Sequence, residues 1–213
     1  MILTQYKVTL KRIDADDIEL IRQWRNHPDI ANYMDFKKKI TKKMQREWFK
    51  SINNKFNYYF LIIYDGKKVG LIHAKNYSEK EKHGEGGIMI WDKDYLFSPV
   101  PVFASLTLLN FVFHVVKETR YSVVKVANKN NVAIQFNRQL GYEPLASKKA
   151  EKGFMYYYLT RKNYLKKTAK LNKAAAILSG DSEPVRISGK PSDLNLESIN
   201  KLLVKRSRKQ SSS

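Results

Sequence analysis

The sequence predicts an α/β (α+β) fold: a mixed, mostly antiparallel central sheet flanked by helices, followed by a helical C-terminal arm. Three observations predict it. Residues 87–141 run strand, loop, apolar helix, strand and Gly-terminated helix, in that order. Residues 58–74 hold two apolar runs separated by Asp65-Gly66, the strongest hairpin signal in the chain, because Asp-Gly suits a type I′ turn. Beyond Arg161 the chain becomes rich in lysine and alanine and prone to helix.

Taken in order, residues 8–13 alternate as an opening strand, and Asp14-Ala15-Asp16-Asp17 supplies a cap and an acidic first turn for a helix through Trp24. His27-Pro28 ends that helix, since the residue before proline avoids the α region. Residues 30–36 read as a loop or short helix. Thr41 caps a second amphipathic helix over 42–51, with Met44, Trp48 and Ile52 on one face. Strands at 58–64 and 68–74 form the hairpin, and 77–84 is a charged loop. A strand at 87–91, a connector at 92–101 and an apolar helix at 102–118 follow. Next come a β-branched strand at 121–126, a short helix closed by Leu140-Gly141-Tyr142, and a last strand at 154–159 on the sheet edge. Residues 164–178 and 194–204 are expected helices on either side of a break at Ser179-Gly180-Asp181-Ser182-Glu183-Pro184. The division is therefore 1–162 for the main domain, 163–204 for a helical extension and 205–213 for a basic, serine-rich disordered tail.

At 213 residues the chain can bury one good core and an appendage, and 43% hydrophobic content is ordinary globular composition. No apolar run approaches the roughly 20 residues needed to span a bilayer. The first residues lack a basic stretch followed by an apolar one, so no secretion signal is expected and a cytoplasmic location fits. With no cysteine there is no disulfide, no thiolate nucleophile and no thiolate metal site. Four histidines without ligand spacing predict no metal site. Forty Lys and Arg against twenty Asp and Glu give a formal charge of +20, which draws anionic partners. The lysines are scattered, and neither zinc-finger spacing nor a ribonucleoprotein aromatic signature occurs. Small anions are thus favoured over nucleic acid.

The succession from Gly86 to Gly141, ending in Asn130-Asn131-Val132-Ala133-Ile134 and Leu140-Gly141-Tyr142, resembles the GNAT superfamily of acyl-CoA transferases over roughly residues 7–160. A second pattern is Trp24-Arg25-Asn26-His27-Pro28, Tyr33, Thr41 and Gln45-Arg46-Glu47-Trp48-Phe49. It looks like the branch that acetylates amino groups on nucleotide-linked sugars or on protein N-termini. The resemblance implies acetyl-CoA as co-substrate. It implies that the loop before the apolar helix cradles the CoA pyrophosphate, as helix N-termini bind anions. Here that loop reads Leu96-Phe97-Ser98-Pro99-Val100-Pro101, with prolines where the family has small residues, so two N–H donors are missing. The N–H groups of Ser98, Val100, Val102 and Phe103 are left to face the anion. The pantetheine arm is expected to pair with the backbone of Met89, Ile90 and Trp91, and Asn130 to help hold it.

For the acceptor, the resemblance makes Trp24, Arg25, Asn26, Tyr33, Gln45 and Trp48 the binding wall. Arg25 suits a diphosphate, since its planar fork makes bidentate contacts, and the aromatic rings suit a base or sugar. The position of the usual thiolate-protonating tyrosine holds Asn137, which can hydrogen-bond sulfur but not protonate it. Glu85 is the expected base, directly or through water, and His73, titrating near neutral pH, a possible shuttle. The expected activity is acetyl-CoA-dependent N-acetylation of a nucleotide-linked amino sugar in surface-glycan biosynthesis. The alternatives are acetylation of a protein N-terminus or small amine, and a non-catalytic domain that binds an anionic partner.

Overall fold

The computed structural model describes residues 1–146, 153–190 and 192–210, with side chains as far as 204. The strands are β1 (Ile2–Gln5), β2 (Val8–Arg12), β3 (Tyr58–Tyr64), β4 (Lys67–Ser78), β5 (His83–Ile90), β6 (Tyr121–Ala127), β7 (Glu143–Pro144), β8 (Phe154–Thr160) and β9 (Arg186–Ser188). They form one sheet in the order β7-β8-β6-β5-β4-β3-β2-β1-β9. Among these pairings only β5–β6 is parallel. The mixed, mostly antiparallel sheet flanked by helices is the predicted architecture.

The hairpin forms as its sequence dictates. Asp65 and Gly66 both have positive φ, 46° and 73°, the geometry of a type I′ turn. Period-2 alternation then gives the sheet two apolar faces. One face, carrying Tyr59, Leu61, Leu71, Met89 and Trp91, is covered by α1 (Ile18–Asn26), α2 (Pro28–Ala31) and α3 (Lys42–Ile52). The other, carrying Phe60, Ile62, Ile72, Ile90 and Val124, packs against α5 (Val100–Asn110), its π-helical continuation Phe111–Val116, and α6 (Asn131–Gln139). The short α4 (Lys93–Leu96) links β5 to α5.

The charged loop expected at 77–84 is shorter, because β4 and β5 extend to Ser78 and from His83. The last strand is not an edge: β8 lies between β6 and the two-residue β7. The largest difference lies in the C-terminal segment, expected to be an appended arm. It forms α7 (Arg161–Lys167), α8 (Ala169–Ser179), β9 and α9 (Leu194–Gln210), and β9 extends the sheet by pairing with β1. Tyr164, Ala175, Leu196 and Ile199 belong to the same core as the sheet. The tail expected to be disordered from Lys205 is helical backbone through Gln210, while 211–213 lie outside the described residues.

Asp17, 1% exposed, anchors the start of α1 to the sheet. Its carboxylate accepts from Lys11 of β2 at 2.9 Å and Lys68 of β4 at 2.8 Å. Burial alone raises its pKa, but the two lysine hydrogen bonds prevail and the value falls below the usual carboxylate range. A lowered folded pKa adds stability that is fully present above the unfolded value of about 3.9 and is lost as pH falls through the folded one. Asp17→Asn is therefore expected to cost about 1–3 kcal/mol at neutral pH. The deficit should shrink as pH falls from about 4 through the lowered folded pKa, where wild type also loses its charge. Urea melts at both pH values check this; an equal deficit at both would mean that charge is not what holds α1.

Candidate active site

The central opening of the fold comes from two parallel strands that part. β5 and β6 pair from His83↔Tyr121 to Gly86↔Val124 and no further. Beyond that point, among the described residues, Gly87–Ile90 continues its pairing with β4 and Lys125–Ala127 with β8. Adjacent strands that diverge at their C-terminal ends leave a crevice with unpaired backbone at its lips, the usual ligand position in such sheets. Met89 and Ile90 lie on this splayed stretch as expected. Trp91 does not serve there, because its N–H donates to the Val69 carbonyl (3.0 Å) and its indole Nε1–H to the Lys68 carbonyl (2.7 Å).

The start of α5 departs further from the expectation. The Ser98 N–H donates to the Tyr95 carbonyl (3.2 Å), and the Val100 N–H to the Ser98 hydroxyl (3.2 Å). The Phe103 N–H enters the helix ladder on the Pro99 carbonyl (2.9 Å). Phe97 caps α4 through its N–H on the Tyr95 carbonyl. Pro99 and Pro101 have no N–H to offer. Of the groups expected to face a pyrophosphate, Val102 alone keeps an N–H without a partner among the described residues. Leu96 and Phe97 stand out into solvent, Phe97 82% exposed. Asn130 likewise caps its own helix, its Oδ1 accepting from the Ala133 N–H at 3.0 Å. The α5 start thus keeps one N–H, that of Val102, without a partner among the described residues, and the crevice keeps unpaired strand backbone.

On the other side of the sheet α1 and α3 wall a cleft over β3, β4 and β5. The pairs Tyr59↔His73, His73↔Gly87 and Lys75↔Glu85 lie in register, so these side chains share one face with the splay. The Arg25 guanidinium lies 5.5 Å from the centroid of the Trp48 ring, which meets Tyr59 edge-on at 5.3 Å. Burial lowers the Arg25 pKa, and among the described residues no carboxylate pairs with it. An arginine stays protonated even so. The cleft therefore presents an unneutralised, partly desolvated cation. Burial pushes the Tyr59 phenol up to about 12 against the opposing pull of Arg25, which leaves it a neutral donor. Trp24 stacks on Trp91 (5.9 Å, 4°) and lines a cavity with His27, Asp29, Lys68, Asp92 and Lys93.

Not every expected wall residue faces a ligand. Asn26 spends its side chain on Ile40, accepting from its N–H (2.8 Å) and donating to its carbonyl (2.9 Å), and so positions the loop before α3. Gln45 is 1% exposed, and neither end of its amide has a partner among the described residues. Tyr33 is exposed with the Lys129 ammonium over its ring, while neighbouring Asp35 pairs with Lys125 of β6 at 2.8 Å. The α2–α3 connection thus reaches the open ends of the splayed strands.

The proton-transfer candidates also sort out. Glu85 pairs with Lys75 at 2.9 Å and stays partly exposed in the cleft. His73 does not titrate near neutrality: burial, then the charges of Lys75 and Arg25, push it down to about 3, so it is neutral at physiological pH. Asn137 donates to the Ala133 carbonyl one turn back (2.8 Å). Tyr59 and Lys75 escaped the sequence reading. Alternation puts Tyr59 opposite Phe60, but nothing in the string says which face holds the cleft.

A Cβ on Gly87 would lie 2.5 Å from His73 Cε1, so the imidazole occupies the space that glycine leaves. Gly87→Ala is expected to cost about 1–3 kcal/mol by overpacking. His73→Ala in the same chain should return most of it, as a coupling in a double-mutant cycle measured by denaturant melts. Additive losses would show that the ring moves aside freely.

The comparisons with known proteins agree with this geometry. The profile described as Acetyltransferase (GNAT) domain matches residues 7–143. No curated protein sequence matches the chain. Among solved structures, an apo form of FdhC, described as a nucleotide-linked sugar GNAT, is 19% identical with a TM-score of 0.66. The match covers 80% of this chain and 96% of that one. The aminoglycoside acetyltransferase AAC(6')-Ib in complex with coenzyme A is 15% identical with a TM-score of 0.65, over 76% and 99% of the two chains. A spermidine N-acetyltransferase SpeG chimera from Vibrio cholerae and hSSAT is 15% identical with a TM-score of 0.62, over 75% and 98%. At such identities these structures share the fold. GNAT domains use acetyl-CoA as co-substrate. Among the described residues no helix is long and apolar enough to cross a membrane. The profile match over most of the chain, together with the splayed parallel pair at the centre of the sheet, shows that this protein belongs to the GNAT acetyltransferase family.

Proposed function

We propose that the protein N-acetylates the amino group of a nucleotide-linked amino sugar. The observation that carries the reading is Arg25: a desolvated guanidinium without an ion-pair partner among the described residues, set over Trp48 in the acceptor cleft. A partly desolvated cation left unpaired favours a ligand anion that completes it. A diphosphate fits the fork of a guanidinium, and Trp48 and Trp24 offer rings against which a base or sugar can lie. A fold neighbour described as a nucleotide-linked sugar GNAT supports the same choice.

Bound acetyl-CoA supplies an acetyl thioester as the acyl donor. Arg25 holds the acceptor, and α1 and α3 exclude water from the sheet face. Glu85, oriented by Lys75, takes the proton of the substrate ammonium directly or through one water. Tyr59, its pKa pushed up to about 12, stays a neutral phenol beside them.

Arg25→Ala is expected to raise the sugar-nucleotide KM by about 30- to 150-fold, the equivalent of roughly 2–3 kcal/mol, with CoA affinity unchanged. Steady-state kinetics with calorimetry checks both. If cationic amines such as polyamines are acetylated better than any nucleotide sugar, and Arg25→Ala improves them, the acceptor is not anionic.

A further inference from the structure

The α5 start is built differently from an anion-binding helix terminus, and the difference has a consequence for the donor. Helix N-termini bind anions through N–H groups that the helix leaves without partners. At α5 the Val100 N–H is taken by the Ser98 hydroxyl, the Phe103 N–H by the Pro99 carbonyl, and position 101 is proline. Ser98 turns its own N–H back to Tyr95. At the second helix start near the splay, α6, Asn130 takes the Ala133 N–H, and the Asn131 and Val132 N–H groups keep no partner among the described residues. Lys93, beside α5, is held by Asp29 at 2.7 Å, and the Lys129 ammonium lies over Tyr33. At the α5 start the Val102 N–H is thus the one group without a partner among the described residues that is left to meet a pyrophosphate. Among the described residues no strand pairs across the splay between Gly87–Ile90 and Val126–Ala127, whose backbone lips face an amide-bearing chain.

We propose that the donor site recognises the pantetheine arm of its thioester and not the nucleotide, so that 4′-phosphopantetheine thioesters serve as donors nearly as well as CoA thioesters. The inference rests on the acetyltransferase reading of the same crevice. Calorimetry on the full chain with CoA and with 4′-phosphopantetheine is the direct test, accompanied by kcat/KM for their acetyl thioesters. The expected result is that both the dissociation constants and the kcat/KM values agree within tenfold. Phosphopantetheine weaker by more than tenfold, with CoA bound, would overturn this inference and leave the acetyltransferase reading standing. Failure of both compounds to bind would overturn the two together.

Discussion

Replacing Glu85 with Gln is expected to lower kcat by about 10²–10⁴ while donor affinity stays intact. The cleft holds few groups able to take a proton. His73, pushed down to about 3, is too weak a base at neutral pH, and Tyr59, pushed up to about 12, stays protonated. Among the described residues no cluster of metal-ligating side chains offers another route. Glu85 shares its face with His73 and Gly87 and lies next to the point where β5 and β6 part. Glutamine keeps the shape but cannot accept the proton. Loss of the ion pair itself should cost little, since both side chains are partly exposed. The variant should regain part of its rate at high pH, where the substrate amine arrives already neutral. Rate–pH profiles of wild type and variant between about pH 6 and 9 decide the matter. Superimposable profiles would make Glu85 a partner of Lys75 and nothing more.

The largest stability effect is expected away from the cleft, at Asn110. This buried residue of α5 accepts from the Tyr164 hydroxyl (2.6 Å) and donates to Gln5 Oε1 (2.9 Å) and Asn172 Oδ1 (2.9 Å). It therefore joins α5 to β1 in front of it and to α7 and α8 behind it. Asn110→Ala leaves the buried Tyr164 hydroxyl and the Gln5 carbonyl oxygen without that partner. At about 1–3 kcal/mol for each of the two stranded groups the loss comes to roughly 2–6 kcal/mol. For a chain of this size that is a fall of about 10 °C in Tm. A scanning calorimetry trace should show one transition, lowered as a whole, because the C-terminal helices share the core of the sheet. A separate low-temperature transition for the C-terminal segment, with the main one unmoved, would restore the picture of an appended arm.

The sequence by itself determined the parts whose causes are local. Asp65-Gly66 sets the central hairpin because both residues tolerate positive φ. Thr41 caps α3, and the α5 apolar run, buried nearly all round, reads as a central helix. The order of these elements was enough to suggest the family, which the profile match over residues 7–143 shows. What the tertiary structure decided were the features whose causes are distant in the chain. The β1–β2 turn uses Tyr6 and Lys7 at φ of 52° and 60°, residues that carry no turn signal. The turn is held by the Tyr6 hydroxyl donating to Asn172 at 2.8 Å, 166 residues away. For the same reason β1 and β9 were invisible as strands: each is short, β1 set by its pairing with β2 and β9 by its pairing with β1. The site residues divide the same way. A side chain's type states what it can do, but its free valences depend on neighbours. Asn26, Ser98 and Asn130 are spent on backbone groups, Arg25 is left open, and His73 loses its near-neutral titration to burial beside two cations.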